Sequence, residues 1–156
     1  MTDEDYMLKA IDIALEGMAE GQSPFGACIV KDDQITALEH NRVWADTNIT
    51  AHAEICAIAS ACKKLKTVDL SGAVIYSTTE PCPMCFAAIH WAKIDKIYYG
   101  SSIDDAKKAG FNELTVSNED MKKLGGSNVK IKAGLCREKA VELFEKWLNK
   151  PDKRTY

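Results

Sequence analysis

The stretch TAHAEICAIASAC, residues 50 to 62, sets a histidine and a carboxylate two positions apart in a segment otherwise made for a protein core. From Ala51 to Cys62 the only ionisable groups besides two thiols are His52 and Glu54. The apolar residues run almost all the way round a helix built on this stretch, so such a helix is expected to be buried. Its two polar side chains then need a chemical reason to be there. Inside a helix, residues two apart lie about 200° apart around the axis and cannot face one point. At the first turn, viewed end on, both can reach a common centre. The helix is therefore expected to begin at His52, with its N-terminus aimed into a pocket, and to end among Lys63, Lys64 and Lys66, cations suited to a C-terminus.

A second short segment supplies what the first lacks. PCPMC, residues 81 to 85, sets Cys82 and Cys85 three apart at the start of another expected helix. They share one face there, where the helix dipole and unpaired backbone N–H groups favour thiolates. Two thiolates and the His52 imidazole make three ligands for zinc, one short of a closed tetrahedral site, and the open position suits water. Glu54, in apolar surroundings, should have a raised pKa and be able to take a proton from that water. The competing reading is a helix-end histidine, a surface glutamate and an accidental or redox thiol pair. The apolar setting of Glu54 argues against it.

The rest of the chain reads as alternating strands and helices. Met7, Leu8, Ile11, Ala14, Leu15 and Met18 recur at helical spacing between Asp3 and Glu20, with Thr2 as cap. ACIVKDDQITALEH reads as a hairpin turning at Asp32 and Asp33, and Asn41 to Thr50 as a loop. AVIYST and KIYYGS are strands on either side of the cysteine helix, the rhythm of a parallel sheet. Residues from about Asp104 to Gly126 are polar with scattered apolar anchors. VKIKA suits a last strand, and REKAVELFEKWLNK an amphipathic helix stopped by Pro151. The pattern predicts helices on both faces of a mixed sheet in one domain spanning 1–156.

Composition narrows the function. With 20 basic and 23 acidic residues the net charge is −3, which lacks the basic excess of a phosphate-binding surface and weighs against nucleic acid. The start MTDEDYMLKA carries acids where a signal peptide carries cations before an apolar run, and no apolar stretch is of membrane-spanning length. A cytoplasmic location is expected, with the six cysteines as thiols or metal ligands rather than disulfides. Cys28, Cys56, Cys62 and Cys136 are read as small core residues. Glu80, just before Pro81, either orients its loop or faces solvent.

His-x-Glu followed by Pro-Cys-x-x-Cys is the signature of zinc-dependent nucleobase deaminases, in which the glutamate shuttles protons and does not bind the metal. On His52, Ala53 and Glu54 with Pro81, Cys82 and Cys85, the chain resembles the cytidine deaminase superfamily. The resemblance implies a three-layer α/β/α sandwich around a five-stranded mixed sheet. GQSPFGACIVKD, TAHAEICAI, TTEPCPMC, AAIHWAK, DDAKKAGF and the terminal tyrosine look most like bacterial guanine deaminases. The likeness departs at Asn48-Ile49, where relatives often carry Asp-Pro, and is weaker from residue 116 to 140.

What this resemblance implies is a homodimeric enzyme that uses Zn2+ to convert a small nucleobase, guanine, to xanthine and ammonia. Glu54 would be catalytic, and His52, Cys82 and Cys85 the metal ligands. Asn41 would bond the purine, although it could equally tie down its own loop. Phe25 and Trp91 would wall the ring, Ala53 and Glu113 would contact the substrate, and Tyr156, in a tail of about residues 150–156, would close the site of a neighbouring subunit in a domain swap. The alternatives are a cytosine, guanosine or triazine deaminase, a tRNA adenosine deaminase, and a non-catalytic zinc-stabilised interaction module.

Overall fold

The computed structural model describes residues 1–156. Two aspartates set its first strand pair. Asp32 and Asp33 both adopt left-handed backbone, with φ of 52° and 58°, the pairing that a tight two-residue hairpin turn demands. They join β1 (Gly26–Lys31) to β2 (Gln34–His40) in an antiparallel register running from Gly26↔His40 to Lys31↔Gln34. β1 also pairs antiparallel with β3 (Val74–Thr79). From there the sheet turns parallel, through β4 (Lys96–Ser101) to β5 (Lys130–Ala133). The order is β2-β1-β3-β4-β5, a five-stranded mixed sheet.

Parallel neighbours need crossover helices, and the helices of the chain together cover both faces of the sheet. Side chains alternate along β1: Cys28 and Val30 point one way, Ala27 and Ile29 the other. On the first face α1 (Asp3–Ala19) and α7 (Arg137–Leu148) pack Met7, Ala10, Ala14, Leu143, Phe144 and Trp147 against Cys28, Val30, Tyr76 and Tyr98. On the second, α3 (Ala53–Leu65) and α4 (Pro83–Trp91) pack Ala53, Ala57, Ala61, Phe86 and Ile89 against Ala27, Ile29, Ile75 and Ile97. This is the expected α/β/α sandwich. α1 starts where Thr2 and Asp5 cap one another, and α7 stops three residues before Pro151.

Close approach of α1 to the sheet requires Gly26, since a Cβ there would collide with the Ala10 carbonyl oxygen. No helix is long and apolar enough to cross a membrane.

Three expectations are corrected. The helix carrying Glu54 is buried along one face only, through Ala53, Glu54, Ala57 and Ala61, while Ile55 and Ile58 are half-buried and Ala59 is exposed. A single sheet face covers only one stripe of a helix, whatever the composition of its other side. The loop from 41 to 50 contains a one-turn helix, α2 (Val43–Asp46), and the polar stretch after β4 folds into α5 (Ile103–Lys108) and α6 (Asn118–Gly125). These are too short for a hydrophobic period to show.

Met7 is fully buried in the α1/α7 layer, on the opposite sheet face from the core of α3 and α4, whose first turns carry the metal-type donors. Met7→Ala is expected to lower unfolding free energy by about 2–5 kcal/mol, measured by urea denaturation followed by circular dichroism.

Candidate metal and catalytic site

Two helices begin at the carboxyl end of β3, and their first residues meet. His52 is the N-cap of α3, in extended backbone with φ −64° and ψ 155°. Cys82 is the N-cap of α4, with φ −62° and ψ 165°. Pro83 follows at the first helical position, where its missing N–H costs nothing, and it holds the preceding Cys82 extended. Cys85, in the first turn, lies on the same side. The helix start expected from the angle between His52 and Glu54 is the one observed.

His52 Nδ1 stands 3.6 Å from Cys82 Sγ and 3.5 Å from Cys85 Sγ, and all three donor atoms lie within 4.8 Å of one another. Bonds of about 2.0 to 2.3 Å in a tetrahedron separate the ligand atoms by roughly 3.3 to 3.8 Å. Imidazole and thiolate are also the donors zinc prefers. The cluster therefore fits zinc, and it provides three protein donors rather than four. Hydrogen bonding from the Cys85 thiol, joined by His52, holds Cys82 down at about 4, while the Cys85 thiol is pushed well above its ordinary value by that same bond and by burial. The pair therefore already carries a thiolate.

Glu54 is buried beside this cluster, and burial raises its pKa. Its Oε2 lies 3.5 Å from Cys85 Sγ and its Oε1 3.0 Å from Ser77 Oγ. The Ser77 hydroxyl is also 2.7 Å from the Thr79 carbonyl oxygen. With one proton to give, it serves either the Glu54 carboxylate or Thr79, and a protonated Glu54 can donate to it while it donates to Thr79. A carboxyl group so placed accommodates both of its protonation states. Ser77 was not singled out in the sequence because it sits mid-strand with no motif around it.

Glu80 does orient its loop. Buried, it accepts from the backbone N–H of Ile103 at 3.2 Å and of Asn118 at 2.9 Å.

A narrow cavity of about 20 Å³ next to the metal cluster is lined by Phe25, His52, Glu54, Thr79, Glu80, Cys82, Glu113 and Tyr156. It adjoins a wider, more apolar one of about 240 Å³ that includes Ile49, Met84, Phe111 and Leu114. Glu113 borders both cavities, its pKa pushed up to about 7 by burial, with the neighbouring Cys82 thiolate adding to it. Phe25 packs edge-on to Phe111 at 4.9 Å between ring centres.

Asn41, fully buried, ties down its loop, its Oδ1 accepting from the Val43 N–H at 3.1 Å, while its Nδ2 donates to the Tyr156 hydroxyl at 2.6 Å. Tyr156 was expected in a neighbouring subunit. In the single chain it lies in its own site, its ring 5.6 Å from His52 and 5.4 Å from Phe111, its carbonyl oxygen accepting from the Asn112 N–H at 2.9 Å. Arg154 covers the Trp44 ring at 4.2 Å and steadies the tail.

Two expected contacts fall elsewhere. Trp91 is 82% exposed and walls nothing. It ends α4, six residues beyond Cys85, about 9 Å along the helix axis from the site. The second aromatic ring at the site is Phe111, packed edge-on against Phe25 and lining the wider cavity, a residue of the AGFN stretch whose spacing alone gives no hint of the role. The Ala53 side chain faces the core under α3, so only its backbone is at the helix mouth. None of Cys28, Cys56, Cys62 or Cys136 joins the metal cluster.

Residues 1–101 match the family described as the cytidine and deoxycytidylate deaminase zinc-binding region. The guanine deaminase of Bacillus subtilis (strain 168) is 36% identical over 157 residues, spanning 100% of both chains. The tRNA-specific adenosine deaminase of the same organism is 40% identical over 99 residues, 64% of this chain and 62% of that one. A solved guanine deaminase from Nitrosomonas europaea superposes with a TM-score of 0.87 at 28% identity, covering 94% of this chain and 85% of that one.

Replacing Cys82 by alanine is expected to abolish stoichiometric zinc, whereas Trp91→Ala leaves zinc content at the wild-type level; elemental analysis of the purified proteins checks both.

Proposed function

The chain belongs to the cytidine and deoxycytidylate deaminase zinc-binding family, and from that premise we propose that it hydrolyses guanine to xanthine and ammonia. The observation that carries this reading is the buried Glu54 beside a cluster of three zinc-type donors, not four. When bound there by His52, Cys82 and Cys85, zinc acts as a Lewis acid that lets water ionise near neutral pH. The residues of the chain then manage protons and orientation. Water adds to the amino-bearing ring carbon. Glu54 accepts the proton that the water gives up and delivers it to a ring nitrogen, then takes the remaining hydroxyl proton as the carbonyl forms and passes it to the amine, which leaves as ammonia. Burial suits it to the task by keeping it from being a permanent anion.

For the base itself we assign the contacting pair Phe25 and Phe111 as the aromatic lining on one side, the Asn41 amide as a donor and Glu113 as a partner for ring or exocyclic N–H groups. The full-length match to guanine deaminase at 36% identity supports guanine over a tRNA adenosine, since the tRNA-specific adenosine deaminases that match over 91% and 93% of the chain are 31% and 33% identical. The cavity of about 20 Å³ beside Glu54 is large enough for a water. Tyr156, which lines it beside His52 and Phe111, would be displaced by a base seated against Glu54. Exchange of the tails between the subunits of a homodimer is the route we favour, with the enzyme a single cytoplasmic domain. Exposed Trp91 and Ile49 are apolar side chains that such an assembly would cover.

Incubation with a panel of free bases, nucleosides and tRNA should release ammonia from guanine foremost. Inosine appearing in tRNA with no xanthine from guanine would overturn the substrate assignment. Glu54→Gln is expected to lower turnover by about 10²- to 10⁴-fold with zinc retained; a protein that keeps its biological role with this change would be a zinc-stabilised binding module. Deleting residues 150–156 should raise the Michaelis constant for guanine at least several-fold in steady-state kinetics.

A further inference from the structure

The backbone at Cys82 is confined almost completely by its neighbours. The Pro81 ring fixes φ before the cysteine and the Pro83 ring fixes φ after it, while Pro83 also restricts Cys82 to extended ψ. The freedom that remains is the tilt of the peptide plane between Pro81 and Cys82, set by ψ of the first residue and φ of the second. That tilt decides where the Cys82 Cβ, and so its sulfur, points.

One side chain grips this plane, and it comes from a distant segment. Asn118, the first residue of α6 and fully buried, donates from Nδ2 to the Pro81 carbonyl oxygen at 2.6 Å. Its Oδ1 has no partner, so this is the one hydrogen bond the amide makes. Asn118 is in turn held by the loop it grips. Its backbone N–H donates to Glu80 Oε1 at 2.9 Å, and the other oxygen of Glu80 accepts from Ile103, the first residue of α5. The Glu80 N–H donates to the Ser101 carbonyl oxygen at 2.8 Å. Loop and helix are therefore locked reciprocally: side chain 80 to backbone 118, and side chain 118 to backbone 81.

We propose that Asn118 is a positioning residue for the metal site, fixing the Pro81–Cys82 peptide plane so that the Cys82 sulfur converges with His52 and Cys85. It touches neither metal nor substrate and acts through the backbone of a ligand. The inference rests on the metal cluster alone and stands whichever base is the substrate.

The test measures zinc affinity of the full chain by competition with a chromophoric chelator, alongside urea unfolding of the metal-free protein. Asn118→Ala is expected to weaken zinc binding by about 10- to 100-fold, the usual consequence of losing a group that orients a ligand. Met7→Ala, which damages the opposite core layer, serves as the control and should bind zinc as the wild type does. Asn118→Asp, which keeps the shape and removes the donor, should weaken zinc to a similar extent and answers the question should the alanine variant fail to fold. Wild-type affinity in a folded Asn118 variant, or an equal loss in Met7→Ala, overturns the proposal. Loss of guanine turnover with zinc affinity intact would overturn it too, without touching the deaminase reading. Conversely, weakened zinc in a protein inactive on every base would uphold it while removing that reading.

Discussion

Two helix N-termini aimed at one point define this molecule. Each brings unpaired N–H groups and the positive end of a dipole, an arrangement that repels itself unless negative charge sits between. His52 and Cys82 occupy the capping positions, yet neither side chain caps its own helix. Both are thereby left free to point inward, and the thiolate at Cys82 supplies the charge that the paired dipoles require. The zinc-type cluster and the helix starts are thus one electrostatic solution. The sheet's part is to bring β3 to the place where both helices can begin, and the small residues Ala53, Ala57 and Ala61 let α3 lie close to it.

That solution explains why the chemistry was legible in the sequence while its surroundings were not. His52 with Glu54, and Cys82 with Cys85, are local pairs whose geometry follows from being at a helix start, so spacing alone fixes it. The strands of the sheet and the two long outer helices declare themselves by period. The walls of the cavity do not. Phe111 and Tyr156 reach the site from segments with no periodic signature, and Trp91 misled because nearness in sequence to Cys85 is distance along a helix. α5 and α6 exist where Glu80 accepts from their first residues. Their caps are local, Ser102 with Asp105 and Ser117 with Asp120, but no local signal reports the anchoring of their first residues by a carboxylate 23 or 38 residues earlier.

Glu80 and Glu54 show how differently two buried carboxylates can be used. Glu80 accepts two backbone hydrogen bonds, one to each oxygen, and binds segments together. Glu54 has one oxygen beside a hydroxyl that can reverse its role and the other beside a thiol. Its surroundings fix position without fixing protonation. A structural carboxylate needs donors in surplus; a proton carrier needs partners that tolerate either state. By that criterion the two are distinguishable from their hydrogen bonds alone.

The same reasoning bears on the tail. Asn41 is fully buried, and its Nδ2 is satisfied by Tyr156. Withdrawing the tyrosine leaves a buried donor unpaired, at a cost of about 1–3 kcal/mol, and uncovers the His52 and Phe111 rings. A ligand recovers that cost only if it is flat enough to replace one aromatic ring with another and offers an acceptor where the phenol oxygen was. A molecule with the flat shape but no acceptor leaves Asn41 unsatisfied, and one with the acceptor but no ring leaves the apolar walls wet. The tail in this position thus competes with any occupant, and the tail exchange proposed above would turn Tyr156 from a competitor into a cover over the bound base.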